Sequence, residues 1–252
     1  MAFITLAVDD GVGTITIDRP EKKNAITYAM LGELGDCLVA ASEDDAVRTV
    51  VLTGVPGAFC AGTDLSDLDS TPEDQRGGRG GMSILDCPKP TVAAIDGPAV
   101  GMGAEFASMC DLRVASDRAR FGWVFVHRGL VADTGAGTWL LPRLIGYQAA
   151  SRLLFAGDIV DATTASELGF VHEVTTPDET LPRAQAIAAS FAAGSPFAVR
   201  ETKRLLREGL SRGWPEHVID NRETMARCFA SDDHREGVAS FLERREPNFT
   251  GR

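Results

Sequence analysis

The chain has 252 residues, 44% hydrophobic and 24% charged, with a formal net charge of -11. This length supports one large domain or two small ones around a substantial core, and the acidic balance argues against a non-specific nucleic-acid surface. Five cysteines, widely spaced and without a C-x-x-C pair, argue against a disulfide framework or a zinc knuckle and fit a reducing cytoplasm.

The elements follow in chain order. FITLAV and GTITID are short, β-branched and separated by DDGVG, the signature of a hairpin. The N-terminal segment lacks the basic region of a secretory signal, and no apolar run approaches the roughly 20 residues of a membrane helix. The expectation is a cytoplasmic protein without a membrane partner. NAITYAMLGELGDCLVAASEDDAV places Met30, Leu31, Leu34, Leu38 and Val39 at helical spacing. RTVVLTG reads as a buried strand ending at Gly54, PKPTVAAIDG as another ending at Gly97, and DLRVAS as a third. Between the first two, DSTPEDQRGGRGGMS (Asp69 to Ser83) carries four glycines and two arginines without core periodicity. It reads as a surface loop or lid, or as a disordered insertion.

From Gly146 onward strand signals nearly vanish. YQAASRLLFAG, LPRAQAIAASFAAG, PFAVRETKRLLREGL and HVIDNRETMARCFA suit amphipathic helices, punctuated by Gly157, Gly194, Ser195-Pro196 and Gly213. The predicted organisation is an α/β core over residues 1–195 and a helical C-terminal region over 196–252. Such a region caps the core or packs against other subunits.

Three strand ends feed turns of small residues: GVPGAFCAGTDLSDL, GPAVGMGAEF and GLVADTGAGTW. In open α/β sheets ligands gather beyond the carboxyl ends of strands. Helix N-termini there carry backbone N–H groups that no turn of the helix satisfies. Two such turns can present two N–H donors to one oxygen, although each glycine also suits a plain cap. A dinucleotide fingerprint fails because Phe106 stands where G-x-G-x-x-G requires its third glycine. Phosphate-loop, esterase and zinc-protease motifs are missing, and no metal site is predicted. Glu105 sits one turn beyond the second glycine bend, among Ala104, Phe106 and Ala107. Its residue type alone allows two roles: complementing the helix dipole, or exchanging a proton with a ligand.

AFCAGTDL, PTVAAIDGPAVGMGAEFASMCDLRVAS, RARFG, TGAGTWLLPRLIG and ATTASELGFVHEV resemble, in order and spacing, the crotonase (enoyl-CoA hydratase/isomerase) superfamily. The likeness runs from about Phe3 to the closing FLERREPNF. It implies an α/β crotonase fold, a spiral of ββα units with a C-terminal helical trimerisation region, assembled as a homotrimer or a hexamer of paired trimers. It also implies an acyl-CoA thioester as substrate, with no separate cofactor. Carried onto this sequence, the oxyanion-hole donors are the main-chain N–H groups of Thr63 and Met102, and Glu105 is the catalytic acid or base. Lys22, Lys23, Ala61, Gly62, Asp64, Leu65 and Gly101 fall where the superfamily contacts CoA and the thioester, with Arg19 nearby. Trp123 and Phe125 are the candidates for the acyl pocket.

One departure matters. Superfamily hydratases pair the first glutamate with a second a few residues after FG, and here Phe125 takes that position. No acid follows until Asp133. That residue is either a second catalytic carboxylate, as in some isomerases of the superfamily, or the N-cap of the helix through TWLLPRLIG. The resemblance therefore implies an enzyme that stabilises a thioester enolate, of the hydratase/isomerase type, leaning toward double-bond isomerisation. Thioester hydrolysis and a catalytically weak acyl-CoA-binding oligomer are the alternatives.

Overall fold

The computed structural model describes residues 2–64, 67, 83–132 and 134–252. The predicted loop from Asp69 lies outside them up to Ser83, as do two candidate site residues, Leu65 and Asp133.

Strands β1 (Ile4–Asp9) and β2 (Val12–Ile17) form the expected antiparallel hairpin. Helix α1 (Tyr28–Glu43) follows, with Thr27 accepting from the Met30 N–H as its N-cap. Strands β3 (Thr49–Gly54) and β4 (Thr91–Ile95) come next, then the short β5 (Pro98–Val100) and helix α2 (Met102–Met109). They are followed by β6 (Leu112–Ser116), β7 (Arg120–Gly122) and a 3-10 turn, Val124–Arg128. Two short helices, α3 (Ala136–Trp139) and α4 (Leu141–Ile145), lead into α5 (Tyr147–Ala156), β8 (Ile159–Asp161), α6 (Ala162–Glu167) and β9 (Glu173–Thr175). The rest is helical: α7 (Pro177–Ala192), α8 (Pro196–Gly209), α9 (Trp214–Ala230) and α10 (Asp232–Glu243).

A six-stranded sheet has the order β1-β2-β3-β4-β6-β9, parallel after the hairpin, and β5, β7 and β8 form a second sheet. Strand periodicity splits the core in two. Val50, Leu52, Ala93 and Ile95 face the cluster that includes Met30, Leu34 and Leu38 of α1. The alternating residues Val51, Val92, Ala94 and Val114 face Ala184, Ile187 and Ala188 of α7. A strand covered on both faces needs apolar residues at every position, hence the unbroken burial of Thr91–Ile95. Strands β5, β7, β8 and β9 were not legible as strands. Each has three residues, too few for a period of two to show.

The helical C-terminal region is tied to the core by ions. The Asp111 carboxylate accepts from the backbone N–H and the hydroxyl of Thr91, at 2.8 and 2.9 Å. It also pairs with Lys203 at 2.7 Å and Arg207 at 2.6 Å, both from α8. The Lys203 ammonium donates to the Lys89 carbonyl as well, and Lys89 donates to the carbonyls of Ala41 and Asp44 at the end of α1. Burial pushes the Asp111 carboxyl pKa up, but Lys203 and Arg207 outweigh it and hold the value below the ordinary 3.8. Among the described residues no helix is long and apolar enough to cross a membrane.

Because its folded pKa is depressed, the Asp111 contribution is present above pH 3.8 and is lost as pH falls through the lower folded value. Asp111→Asn is therefore expected to lower unfolding free energy at neutral pH by about 2–4 kcal/mol, since it leaves two cations without their anion. Urea titrations checked across pH should show the gap from wild type closing below pH 3.8.

Candidate active site

The site begins with two chain segments that pass each other backbone to backbone. After β3 the chain turns and runs along β5, where the N–H groups of Phe59 and Cys60 donate to the Pro98 carbonyl and the Val100 N–H donates to Cys60. At Gly103 a Cβ would lie 2.1 Å from the Cys60 carbonyl oxygen, so only glycine fits in the first turn of α2. Gly62, at φ +111°, brings the position a Cβ would take within 3.9 Å of the Met102 nitrogen. The next residue of one segment, Thr63, thus comes beside Met102 of the other. Neither backbone N–H has an acceptor among the described residues.

Both residues line a cavity of about 340 Å³. Ala61, Gly62 and Gly101 complete its backbone side, Val124, Phe125 and Leu130 form an apolar wall, and Lys22 and Arg128 add two cations. Asp64 borders it too, but its carboxylate is held by the Arg19 guanidinium at 2.7 Å. Arg19 also donates to the Ala25 carbonyl and so braces the turn that carries Lys22. Asn24, fully buried, ties that turn to the loop before Thr63 by donating to the Ala58 carbonyl at 2.6 Å.

Glu105 lies one helical turn after Met102 and is 0% exposed. It is not among the residues that line the cavity. Its backbone N–H donates to Gly101, and its Oε2 accepts from the Thr134 hydroxyl. The thiol of Cys60, next to Ala61, is pushed up to about 12 by burial, which outweighs a lowering backbone hydrogen bond at Gly62. It stays a protonated core group rather than a nucleophile.

Several candidate residues fall together here: Lys22, Ala61, Gly62, Thr63, Asp64, Gly101, Met102 and Phe125 all border the cavity. Others do not. Trp123 is a core residue, 1% exposed, with its indole edge-on to Phe170 at 5.2 Å. The spacing that put Trp123 beside Phe125 is that of β7 running into a 3-10 turn, which sends the two rings in different directions. Lys23 is exposed and outside the cavity wall, because it closes a tight turn at φ 50°. His127 packs against Gly157. Sequence reasoning gave no role to Val124 or Thr134. Val124 could have been found from its place beside Phe125; Thr134 had no signal apart from its neighbour Asp133.

The profile of the Enoyl-CoA hydratase/isomerase family matches residues 7–252. The chain belongs to this family, within the crotonase superfamily. It is 34% identical over 263 residues to the 1,2-epoxyphenylacetyl-CoA isomerase of Escherichia coli K12, covering 100% of both chains. It is 33% identical over 253 residues to the crotonyl-CoA hydratase of Syntrophomonas wolfei, covering 98% of this chain and 97% of that protein. The enoyl-CoA hydratase structure from Mycobacterium tuberculosis H37Rv superposes with a TM-score of 0.93 at 35% identity, covering 100% of each chain. The α/β crotonase fold predicted from the motifs is thereby established.

The close passage of the two segments makes a direct prediction. Gly103→Ala should cost about 2 kcal/mol or more, because its methyl meets a backbone carbonyl that cannot step aside. Gly32→Ala, where a Cβ meets nothing within 4 Å, should be neutral or stabilising by about 0.5–1 kcal/mol. Thermal and urea denaturation of the two variants beside wild type checks both.

Proposed function

We propose that this enzyme moves a proton along the acyl chain of an enoyl-CoA thioester through an enolate held by the N–H groups of Thr63 and Met102. The observation that carries this reading is the pairing of two acceptor-free backbone N–H groups on one cavity wall with a carboxylate one turn further along the same helix. A thioester oxygen seated between the two donors gains charge as the adjacent carbon is deprotonated. Donors fixed in advance stabilise that charge without reorganising.

Glu105 is the base. Its carboxylate takes a proton from the carbon next to the thioester carbonyl, and the electron pair moves onto the carbonyl oxygen. Return of the same proton to the far end of the former double bond gives the conjugated 2-enoyl thioester. One carboxyl group suffices for this shuttle, whereas hydration needs a second group to hold and split a water. The aromatic ring of Phe125 is on the cavity wall, 9% exposed, at the position where a hydratase would carry that second glutamate. An apolar wall there favours keeping water out. Asp133, outside the described residues, keeps its place as a possible second carboxylate in the reading.

The CoA portion would lie toward Lys22, and no separate cofactor is required by this chemistry. We also propose self-association as a trimer or paired trimers. Trp214, Phe229, Phe241 and Leu242 of α9 and α10 are 62–82% exposed in the isolated chain, an apolar surface that a free monomer would leave wet. All five cysteines are free thiols, which supports the cytoplasm as the compartment.

Glu105→Gln is expected to reduce kcat on a 3-enoyl-CoA by about 100- to 10,000-fold, the usual reach of a general base. The assay follows the rise in ultraviolet absorbance of the conjugated product. Crotonyl-CoA, monitored for loss of the same chromophore, reports hydration, and a thiol reagent reports hydrolysis. Faster turnover of crotonyl-CoA than of the 3-enoyl substrate would overturn the isomerase assignment, and thiol release without either would replace it with thioester hydrolysis.

A further inference from the structure

The carboxylate of Glu105 is held from a different part of the chain than the donors it works with. Thr134 precedes α3, and its hydroxyl oxygen accepts from the Ala136 N–H at 3.2 Å. With that lone pair engaged, the hydroxyl proton is directed to Glu105 Oε2. The donor's direction is thus set by the backbone of the turn, and Oε2 is fixed as an acceptor.

The other carboxylate oxygen is placed by an empty volume. A Cβ built on Gly137 would stand 2.5 Å from Glu105 Oε1, 2.9 Å from Trp123 Cδ1 and 3.0 Å from Ala132 Cβ. Gly137 is itself buried, and its φ is not in the left-handed range. The glycine is required there for room and not for backbone freedom. Oε1 occupies space that any larger residue would take, against the edge of a fully packed indole.

We propose that the turn from Thr134 to Gly137 is the positioning element of Glu105, with Thr134 holding one oxygen by a hydrogen bond and Gly137 leaving the berth for the other. This inference rests on Glu105 being the base. Neither residue touches the acyl chain in this assignment. Both act by fixing the rotamer and the accepting state of the carboxylate, and a base misplaced by a fraction of an ångström loses rate more than affinity.

The test uses the intact enzyme and a 3-enoyl-CoA assay. Thr134→Val keeps the shape and removes the donor. It should lower kcat by about 10- to 100-fold, the value of a hydrogen bond to a charged group, with KM within about 3-fold of wild type. Thr134→Ser should recover most of the loss. Gly137→Ala, a second and independent perturbation, should lower kcat in the same way. In a Glu105→Gln background Thr134→Val should cost nothing further, because the group it positions is gone.

An unchanged kcat in Thr134→Val beside an inactive Glu105→Gln overturns the positioning role alone. So does a loss that Thr134→Ser does not repair, or one that persists undiminished in the Glu105→Gln background. A fully active Glu105→Gln enzyme overturns the base assignment and this proposal together. If Thr134→Val melts early, Thr134→Ser and Gly137→Ala still decide the matter, since equal loss in both would contradict the hydroxyl's part in it.

Discussion

Everything in the site depends on two stretches of backbone, 60–63 and 100–103, touching with no side chain between them. The contact is carbonyl against glycine: the Cys60 oxygen occupies the place where a side chain of residue 103 would begin. Close approach of this kind has two effects at once. It locks the loop after β3 to the start of α2, and it brings Thr63 and Met102 to one cavity. A side chain at Gly103 would push the segments apart, and the cavity would lose a wall.

The surrounding structure keeps that contact from drifting. Helix α2 is buried at every position from Met102 to Met109, so it has no solvated face on which to slide. Arg113 holds its far end by donating to the carbonyls of Ala107 and Cys110 while its guanidinium lies over the Phe170 ring. On the other side, Asp96 accepts from the Gly57 N–H and is gripped by Arg118, which fixes the loop that leads to Cys60. Burial raises the Asp96 carboxyl, but the Arg118 contact together with hydrogen bonds from Gly57 and Ser116 outweighs it and keeps the group below its ordinary range. Charged groups here are structural clamps around the segments that line the cavity.

How far the sequence alone revealed this differs from element to element. The six-residue strands of the hairpin and β3, and the long helices, announced themselves through period and composition, because each buries a face broad enough to leave a pattern. The glycine turns were visible as turns, and resemblance to the crotonase superfamily assigned Thr63, Met102 and Glu105 their places. What stayed hidden was pairing across the chain. Arg19 reads as a cation near the CoA-contact residues until Asp64, 45 residues later, is seen to pair with it. Trp123 and Phe125 look equivalent two residues apart, yet one is core and the other faces the cavity. Thr134 carries no mark of its contact with Glu105, because a hydroxyl in a turn is ordinary until its partner is known.

The same cross-chain pairing bears on why the site would favour proton transfer over water addition. In the proposed reading the enolate is stabilised on one side by amides that cannot ionise or move. On the other side the base is buried, held by a threonine and packed beside an indole. One side of the cavity is formed by Val124, Phe125 and Leu130, none of which can orient a water molecule by hydrogen bonding. A water held against that wall would leave part of its hydrogen-bonding capacity unmet, at a cost of roughly 1–3 kcal/mol per buried polar group. An acyl chain against the same wall would meet apolar contacts. In that reading the selection between the two chemistries lies in the apolar side of the cavity, where the ring of Phe125 stands and would favour returning the proton to carbon.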